Sequence, residues 1–297
     1  MEYSKLGKSD LLVSKIGFGC MSLRGNTDDN KTLLNKALQL GINYFDTADL
    51  YEDGENESKI GTLLKPNRKD IVLATKVGNQ KQADGSTTWN ASKAYILQAA
   101  NKSLKRLQTD YIDLYQLHGG TIEDNIDETI EAFELLKQQG KIRYYGNSSI
   151  RPNVIREIVG KSNITSVMMQ YSLLDRRPEE TCFELLEKNQ ISVVTRGSVA
   201  QGLLVDKPAK PYLNFTEKEV VKTVLAIQQI AGKTKSKAQV ALQFALAPKV
   251  VASAVIGIRT VAQLEDVVAT LNVPQLKPGE LDYLKNAIEP NKYEQHR

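Results

Sequence analysis

Cysteine and histidine are both scarce in this sequence, which holds two residues of each. Cys20 and Cys182 are too few for a disulfide scaffold or for a cysteine-rich zinc site. His118 and His296 are likewise too few for a metal site built from several histidines. The sequence therefore predicts no bound metal, and its low cysteine content favours a reducing, cytoplasmic compartment.

Long apolar runs and an excess of one charge are also missing. No apolar run approaches the roughly 18 residues that a membrane-spanning helix needs, and the opening segment MEYSKLGKSDLL lacks the apolar core of a secretory signal. Basic and acidic residues nearly balance, at 39 and 35, so the net charge of +4 gives no case for nucleic acid. We expect neither a membrane nor a nucleic acid as a partner, and a monomer is the default expectation.

Short β-rich runs alternate with longer helical stretches from one end of the chain to the other. The predicted strands are residues 15–19, 44–46, 71–75, 111–117, 142–147, 166–170, 192–195 and 253–256. Strands that alternate with helices indicate an α/β protein with a parallel sheet. Eight such units in 297 residues favour a closed (β/α)8 TIM barrel over an open sheet. No Pro/Gly/Ser-rich linker divides the chain, so we expect a single domain over residues 1–297.

Two glycines and one long segment are notable between these elements. Gly41 and Gly140 follow helical stretches, where the C-terminus of a helix favours a residue that tolerates a positive φ. Residues 201–215, QGLLVDKPAKPYLNF, are too many for an ordinary connection between a strand and a helix. The sequence predicts a functional loop over the strand ends at this segment.

Chemistry in such a barrel belongs at the C-terminal ends of its strands. Asp46 ends the second predicted strand, and Tyr51 follows in the next loop. Lys76 and His118 come directly after the third and fourth strands. An ammonium stabilises a nearby phenolate, and a carboxylate keeps the ammonium charged and oriented. With a histidine that donates a hydrogen bond, these groups would polarise and protonate a carbonyl while hydride arrives from elsewhere.

Each of these residues has an ordinary interpretation when it is taken alone. An aspartate at a strand end is usually a cap or a turn residue, and a lone histidine is more often structural. Lys76 alone is compatible with a snorkelling side chain or with the Schiff-base lysine of a barrel aldolase. A calcium loop that starts at Asp49 is excluded, because it would need a carboxylate at Tyr51 and a bidentate glutamate at Ile60. The four residues together are far more specific for proton transfer.

The order and spacing of these residues resemble the aldo-keto reductase family. GINYFDTADLY, LATKVG and YIDLYQLH resemble the family segments that carry the aspartate and tyrosine, the lysine and the histidine. LKQQGKIRYYGNSSI resembles the stretch that leads to the nicotinamide site, and AVIGIRTVAQLED resembles the C-terminal cofactor motif. The resemblance covers nearly the whole chain and is closest to bacterial general-stress and inositol-operon-type members.

This resemblance implies a (β/α)8 barrel with a short N-terminal β-hairpin, in YSKLGKSDLLVSKIGFG. The sequence pattern itself predicts a last helix at residues 279–288. The resemblance also implies that the chain binds NADPH or NADP+ without a Rossmann fold, and the sequence contains no G-x-G-x-x-G. By the same resemblance, Tyr51 is the general acid and His118 orients the substrate carbonyl. Asp46 and Lys76 tune the tyrosine.

The residues that bind the cofactor carry over from the family one position at a time. The resemblance assigns this role to Gly19, Cys20, Met21, Asp46, Ser148, Gln170, Arg196, Ser198, Gln201, Gly202, Leu203, Gly257, Arg259 and Gln263. Ser148 and Gln170 match residues that bind the carboxamide. Arg196 takes the place of a residue, commonly aromatic, that stacks on the nicotinamide, and a planar guanidinium can also stack on a ring.

Several positions differ from the family pattern. Ser149 and Gln263 each replace a usual asparagine, and Ser253 stands where many members have a lysine. Arg259 matches the segment that binds the 2′-phosphate and is able to bind it alone. We therefore expect NADPH as the cofactor, with NADH as a weaker alternative. Lys207 and Lys210 are candidate clamps or solvated charges.

The sequence thus predicts an NADP(H)-dependent oxidoreductase that reduces aldehydes or ketones to alcohols. The alternative is a cofactor-sensing binding module with incidental turnover, like the family's channel-associated β subunits. An aldolase that uses Lys76 would leave Tyr51 and the cofactor motif unexplained. The expected partner is a small-molecule carbonyl substrate, selected by loops 78–89 and 119–125, and Trp89 is a candidate lining residue.

Overall fold

Eight parallel strands close into a barrel in the computed structural model of the chain, which describes residues 1–24, 26–82, 84–232 and 234–297. In chain order the strands are β1 (Tyr3–Lys5), β2 (Leu12–Ser14), β3 (Ile16–Gly19), β4 (Tyr44–Asp46), β5 (Val72–Val77), β6 (Asn79–Lys81), β7 (Thr87–Trp89), β8 (Ile112–Leu117), β9 (Ile142–Ser148), β10 (Ser166–Gln170), β11 (Ser192–Arg196) and β12 (Val251–Ile256). Around the barrel the order is β10, β11, β12, β3, β4, β5, β8 and β9. The predicted (β/α)8 TIM barrel is therefore confirmed.

β1 and β2 form an antiparallel hairpin that covers the N-terminal end of the barrel. Leu6, Leu11 and Val13 of this hairpin are buried in the apolar cluster that occupies the barrel interior. The backbone N–H of Gly7 donates to Oγ of Ser192, the first residue of β11, at 2.8 Å. The predicted hairpin is confirmed, and it leaves the opposite end of the barrel for the site.

Helices surround the barrel. Within the described residues they are α1 (Thr27–Gln39), α2 (Glu55–Leu64), α3 (Lys93–Leu107), α4 (Ile126–Gln138), α5 (Pro152–Lys161), α6 (Cys182–Lys188), α7 (Glu217–Ile230), α8 (Lys237–Leu246), α9 (Val261–Ala269) and α10 (Pro278–Ala287). α10 corresponds to the predicted last helix. In the part of the chain that the structure covers, no helix combines the length and apolarity needed to cross a membrane.

Local chemistry sets several helix ends. Ser92 is the N-cap residue of α3, and its side chain accepts a hydrogen bond from the N–H of Tyr95. Gly41 and Gly140 follow α1 and α4 with φ of +86° and +70°, as the sequence predicts. Both values lie in the left-handed region that glycine enters without a steric penalty.

A second hairpin, β6 and β7, lies at the C-terminal end of the barrel within the predicted loop 78–89. Residue 83 of that loop lies outside the described residues. Asn79 pairs with Trp89, and the indole packs so closely on Gly78 that a Cβ there would lie 2.5 Å from the ring. The sequence does not predict these strands, because they are only three residues long and mostly polar.

Candidate active site

A cavity of about 770 Å³ opens at the C-terminal ends of the barrel strands. Its wall includes Asp46, Tyr51, Lys76 and His118, together with Gly19, Met21, Ser148, Arg196 and Gly257 from the predicted cofactor set. These residues stand at or just beyond the ends of β3, β4, β5, β8, β9, β11 and β12. The structure brings them together because the C-terminal ends of all barrel strands meet at one rim.

Lys76 and Asp46 form a buried ion pair at the floor of this cavity. The ammonium Nζ of Lys76 lies 2.5 Å from Oδ1 of Asp46 and donates to the backbone carbonyl of Thr47 at 2.7 Å. The amide of Gln116 donates to the other carboxylate oxygen of Asp46 at 3.3 Å. Lys76 is 1% exposed and Asp46 is 3% exposed, so the ion pair is almost completely removed from water.

The charge of Lys76 is maintained by its neighbours. Burial by itself lowers the pKa of a lysine, but the Asp46 carboxylate and the Tyr51 phenol outweigh burial and raise the pKa of Lys76 above its usual value. The lysine is therefore an ammonium throughout the physiological pH range. It is a fixed positive charge beneath the phenol rather than a free amine.

Tyr51 sits directly above this charge. The Lys76 ammonium lies 5.1 Å from the centre of the Tyr51 ring. The same ring meets the imidazole of His118 edge-on, with 6.1 Å between the ring centres. A phenol, an ammonium and an imidazole are thus gathered around one small volume of the cavity.

The turn that carries Tyr51 has an unusual backbone. Glu52 and Asp53 adopt φ values of +51° and +55°, in the left-handed region that costs a non-glycine residue roughly 1–2 kcal/mol. The chain just after the turn is anchored by Asn56, which accepts from the hydroxyl of Thr47 at 2.7 Å and donates to the carbonyl of Cys20 at 3.0 Å. Strain that the surrounding structure supports in this way is a common property of functional loops.

His118 is held in its neutral form. Burial lowers the pKa of His118 to about 3, and the positive charges of Lys76 and Arg196 act in the same direction. Its Nδ1 is buried and has no hydrogen-bond partner among the described residues. The imidazole lines the cavity, and its buried Nδ1 remains an unused hydrogen-bonding position within the wall.

Gln170 and Arg196 interact with each other. Nη1 of Arg196 donates to Oε1 of Gln170 at 3.0 Å, and Nε2 of Gln170 donates to the hydroxyl of Tyr212 at 2.9 Å. Arg196 lines the cavity and is exposed. Gln170 is not among the described residues that line the cavity, and it stands behind the Arg196 guanidinium. Both ends of the Gln170 amide are thereby engaged, and the loop residue Tyr212 is joined to the end of β10.

Four residues that were predicted to bind the cofactor lie at the start of the long loop: Ser198, Gln201, Gly202 and Leu203. None of them is among the described residues that line the cavity. Ser198 is buried and shares a hydrogen bond of 3.2 Å with Thr195. Leu203 is 1% exposed and belongs to the core. Gln201 and Gly202 have φ of +59° and +94°, which makes a tight turn between them.

The ends of β3 and β12 are joined by Ser22, a residue that sequence reasoning did not single out. Its hydroxyl oxygen lies 2.9 and 2.8 Å from the carbonyl oxygens of Gly19 and Ile258, either of which can accept its one hydrogen, and it accepts from the N–H of Ile258. Cys20 is fully buried in the core, whereas its neighbour Met21 is 59% exposed at the rim. Of these two predicted contacts, Met21 alone presents its side chain to the cavity.

Arg259 and Gln263 lie next to each other at the start of α9. The N–H of Arg259 donates to the side-chain oxygen of Gln263 at 3.0 Å, and the N–H of Gln263 donates to the hydroxyl of Thr260. Both residues are exposed, so the Arg259 guanidinium is available to an anion beside Gly257.

On the side of the cavity opposite Gly257, the predicted lining residue Trp89 is accompanied by polar residues that the sequence did not single out. Trp89 lines the cavity, and its indole N–H lies 2.9 and 3.0 Å from the two carboxylate oxygens of Asp124. Asp124 also accepts from the N–H of Thr121 at 2.7 Å. Arg151 lines the same wall. The tryptophan was the sequence signal for this wall, but its partner is distant in the chain.

A parallel barrel with charged and polar side chains gathered at this rim has the arrangement of a barrel enzyme, and comparison with known proteins identifies the family. The model described as "Aldo/keto reductase family" matches residues 15–289. The chain therefore belongs to the aldo/keto reductase family, and the resemblance predicted from its motifs is confirmed.

Three similar proteins illustrate this membership. The oxidoreductase YqkF of Bacillus subtilis (strain 168) is 52% identical over 310 residues, which cover 100% of both chains. The aldo-keto reductase AKR11C1 from Bacillus halodurans, in its holo form, is 49% identical with a TM-score of 0.94, covering 100% of this chain and 99% of that one. The aldo-keto reductase yakc [NADP(+)] of Schizosaccharomyces pombe (strain 972 / ATCC 24843) is 35% identical over 210 residues, or 67% of this chain and 62% of that protein.

Proposed function

We propose that this protein is an NADPH-dependent reductase that converts an aldehyde or ketone to its alcohol, with Tyr51 as the general acid. The observation that carries the proposal is the buried ion pair of Lys76 and Asp46 beneath the Tyr51 ring, next to a neutral His118. The name of the related yakc protein, which includes NADP(+), supports the choice of cofactor.

The residues of the cavity fit a nicotinamide dinucleotide phosphate. Gly19 and Gly257 line the cavity at the ends of the paired strands β3 and β12, where neither residue has a side chain. Bare backbone of this kind lets a flat ligand approach closely. Ser148 would hold the carboxamide, Arg196 would stack on the ring, and Arg259 would bind the 2′-phosphate. When bound, NADPH supplies the hydride.

The chain's own residues would position the carbonyl and supply the proton. His118 donates a hydrogen bond to the carbonyl oxygen, and its low pKa prevents it from acting as a competing acid near neutrality. Tyr51 transfers its hydroxyl proton to the same oxygen. Lys76 then faces the phenolate that remains, and Asp46 keeps this ammonium charged and in place.

A Schiff-base aldolase has less support from the same geometry. A lysine attacks a carbonyl only as a neutral amine. Lys76 already donates to Asp46 and to Thr47, and its pKa is raised rather than lowered. These contacts suit a lysine that acts through its charge.

The test compares two tyrosine-to-phenylalanine variants on a panel of aldehydes and ketones. Tyr51→Phe should slow NADPH oxidation by roughly 10²–10⁴-fold, the usual contribution of a general acid, while NADPH binding followed by fluorescence changes little. Tyr95→Phe is the matched control, because Tyr95 donates only to a backbone carbonyl beside a smaller cavity. An unchanged rate in Tyr51→Phe would contradict the proposed role.

The wild-type protein provides the second test. An enzyme of this kind turns over about 1–10³ times per second. Tight NADPH binding with turnover below about 0.01 per second on the whole panel would instead favour a cofactor-sensing binding module.

We further propose that residues 1–297 form one domain that acts as a cytoplasmic monomer, with neither a membrane nor a nucleic acid as a partner. Both cysteines are buried free thiols, which agrees with a reducing compartment. Light scattering that gives a mass of 33.0 kDa, with one cooperative unfolding transition, is the expected result. A dimer mass or two separate transitions would contradict the proposal.

A further inference from the structure

Arg151 stands between two cavities at the open end of the barrel. It lines the 770 Å³ active-site cavity and also a cavity of about 440 Å³ that is bordered by C-terminal residues 291–296. A substrate that extends from the active-site cavity toward the second cavity would lie against Arg151, which borders both. The residue therefore occupies a position that can select substrates.

The backbone and side chain of Arg151 are both fixed in place. Nη1 donates to the carbonyl of Gly120 at 2.6 Å, and the backbone N–H donates to Oγ of Ser149 at 3.2 Å. Arg151 also directly precedes α5 as its N-cap residue, and its carbonyl accepts from the N–H of Ile155. The guanidinium is thus attached to the loop that begins at His118, and a preorganised guanidinium binds an oxyanion with little loss of conformational freedom.

The charge of Arg151 is not neutralised by the protein. Within the described part of the chain, no carboxylate forms an ion pair with it, whereas Lys76 is paired with Asp46 and Arg177 with Asp175. Among the described residues that line the active-site cavity, Asp46 is the one carboxylate, and its charge is already matched by Lys76. Asp124 stands behind Trp89 and is not part of that lining. The cavity is therefore left with an excess of positive charge from Arg151 and Arg196.

The position of Arg151 in the barrel separates it from the proposed phosphate contacts of the cofactor. Arg151 follows β9 and is attached to the loop after β8. In the closed order of the strands, β8 lies across the barrel from β12, and β12 leads to Arg259. The two arginines consequently serve opposite sides of the cavity, and Arg151 lies on the side of His118.

We propose that the substrate is a carbonyl compound that also carries a carboxylate or a similar oxyanion, and that Arg151 binds this group. The inference rests on the proposed reductase function and deepens it by naming a substrate class. Reduction itself proceeds as above, because the oxyanion takes no part in hydride or proton transfer. Arg151 would set the position of the carbonyl by holding the far end of the molecule.

The test uses 4-carboxybenzaldehyde and its neutral methyl ester, methyl 4-formylbenzoate, as a matched substrate pair. Wild-type protein should show a higher kcat/KM for the acid. In Arg151→Gln the ratio of kcat/KM between acid and ester should fall roughly 10- to 100-fold, which is typical when a hydrogen bond between two charged groups is lost. Arg151→Lys should recover part of the ratio. Arg156→Gln, an exposed arginine in the same helix, should leave the ratio unchanged.

The salt dependence of KM in the wild-type protein tests the same inference without a substitution. Salt screens exposed charges, so raising NaCl from about 0.02 to about 0.5 M should increase KM for the acid more than for the ester. Equal use of acid and ester by the wild type would overturn the inference, and so would an acid preference that survives in Arg151→Gln. Reduction of the ester without preference for the acid would leave the proposed function intact. Reduction of neither compound, nor of any carbonyl in the wider panel, would overturn both.

Discussion

The indole N–H of Trp89 lies within 3.0 Å of both carboxylate oxygens of Asp124, and this contact joins two loops that are 35 residues apart in the chain. One loop is the β6–β7 hairpin and the other follows His118. The tryptophan ring also packs against Gly78 and Gly119, which have φ of +130° and +135°. The wall of the cavity opposite the cofactor segment is thereby fixed by one polar contact and two close packing contacts.

We expect Asp124→Ala to loosen this wall. A hydrogen bond to a charged group contributes about 1.5–3 kcal/mol when it is buried, and less here because the pair is only partly buried. KM for the carbonyl substrate should rise about 3- to 10-fold, with a smaller change in kcat. Steady-state kinetics would measure both, with Glu123→Ala as the control, since that neighbouring carboxylate is exposed. An equal effect in the two variants would argue against the wall.

Removing Lys76 should destabilise the protein as well as inactivate it. Lys76→Met leaves the Asp46 carboxylate buried without its partner, a change that typically costs about 3–5 kcal/mol. The double variant Lys76→Met with Asp46→Asn should recover much of that stability without recovering activity. Urea unfolding of the two variants would reveal the difference. Equal stability of the single and double variants would mean that the ion pair is not coupled in this way.

Asp49 should make the protein less stable as pH rises toward neutrality. Burial, followed by the charge of Glu57, raises the pKa of Asp49 to about 7, and its Oδ1 is buried without a hydrogen-bond partner among the described residues. The ordinary pKa is 3.8, so between about pH 4 and 7 the native chain binds more protons than the unfolded chain, and stability falls as pH rises.

Asp49→Asn should therefore stabilise the protein at pH 7 by roughly 1–3 kcal/mol relative to wild type, and by less at pH 5. Urea unfolding at both pH values would measure this. Asp53→Asn is the control, because Asp53 pairs with Lys81 at the surface and its side chain is 64% exposed. A gain of the same size at both pH values would exclude titration of Asp49 as the cause.

His118 should make the protein less stable as pH falls, which is the opposite direction to the effect of Asp49. Its folded-state pKa of about 3 lies below the ordinary 6.5, so below about pH 6.5 the unfolded chain binds a proton that the native chain does not. Stability should fall as pH decreases through this window, by about 2 kcal/mol between pH 7 and 5. His118→Asn should reduce that part of the pH dependence, whereas His296→Asn, in the exposed tail, should not.

Arg259 should distinguish the two nicotinamide cofactors. If it binds the 2′-phosphate, Arg259→Gln should raise the dissociation constant for NADPH roughly 10- to 100-fold and change that for NADH much less. Fluorescence titration with each cofactor would measure both constants, so NADH serves as the internal control. Parallel losses for the two cofactors would place Arg259 against a part of the ligand that they share.

The barrel could be predicted from the sequence because its strands are buried on both faces. Such strands appear as nearly continuous apolar runs, and β4 and β10 were predicted with their observed bounds. The β6–β7 hairpin could not be predicted in this way, since its polar residues show no alternation. It depends on Trp89 packing against Gly78, a contact that only the folded chain provides.

The site was predictable in its residue types but less so in its orientations. Asp46, Tyr51, Lys76 and His118 follow successive strands, so their proximity follows from parallel topology alone. Whether the residue that directly follows a strand faces the cavity or the core depends on the local turn. Cys20 shows this, because it enters the core although both of its neighbours line the cavity.

The hairpin at the N-terminal end of the barrel also has a consequence for the order of folding. Residues 3–14 leave the ribosome before β9 and β11, yet Asp10 pairs with Arg143 and Gly7 binds Ser192, 133 and 185 positions away. Contacts at such separations are slow to form. Until then, the side chains of Leu6 and Leu11 lack their final cover, and exposed apolar surface of this kind promotes aggregation. Although it is synthesised before the strands that it contacts, this hairpin is thus among the last parts of the barrel to reach its place, and its apolar side chains stay uncovered until those strands have emerged.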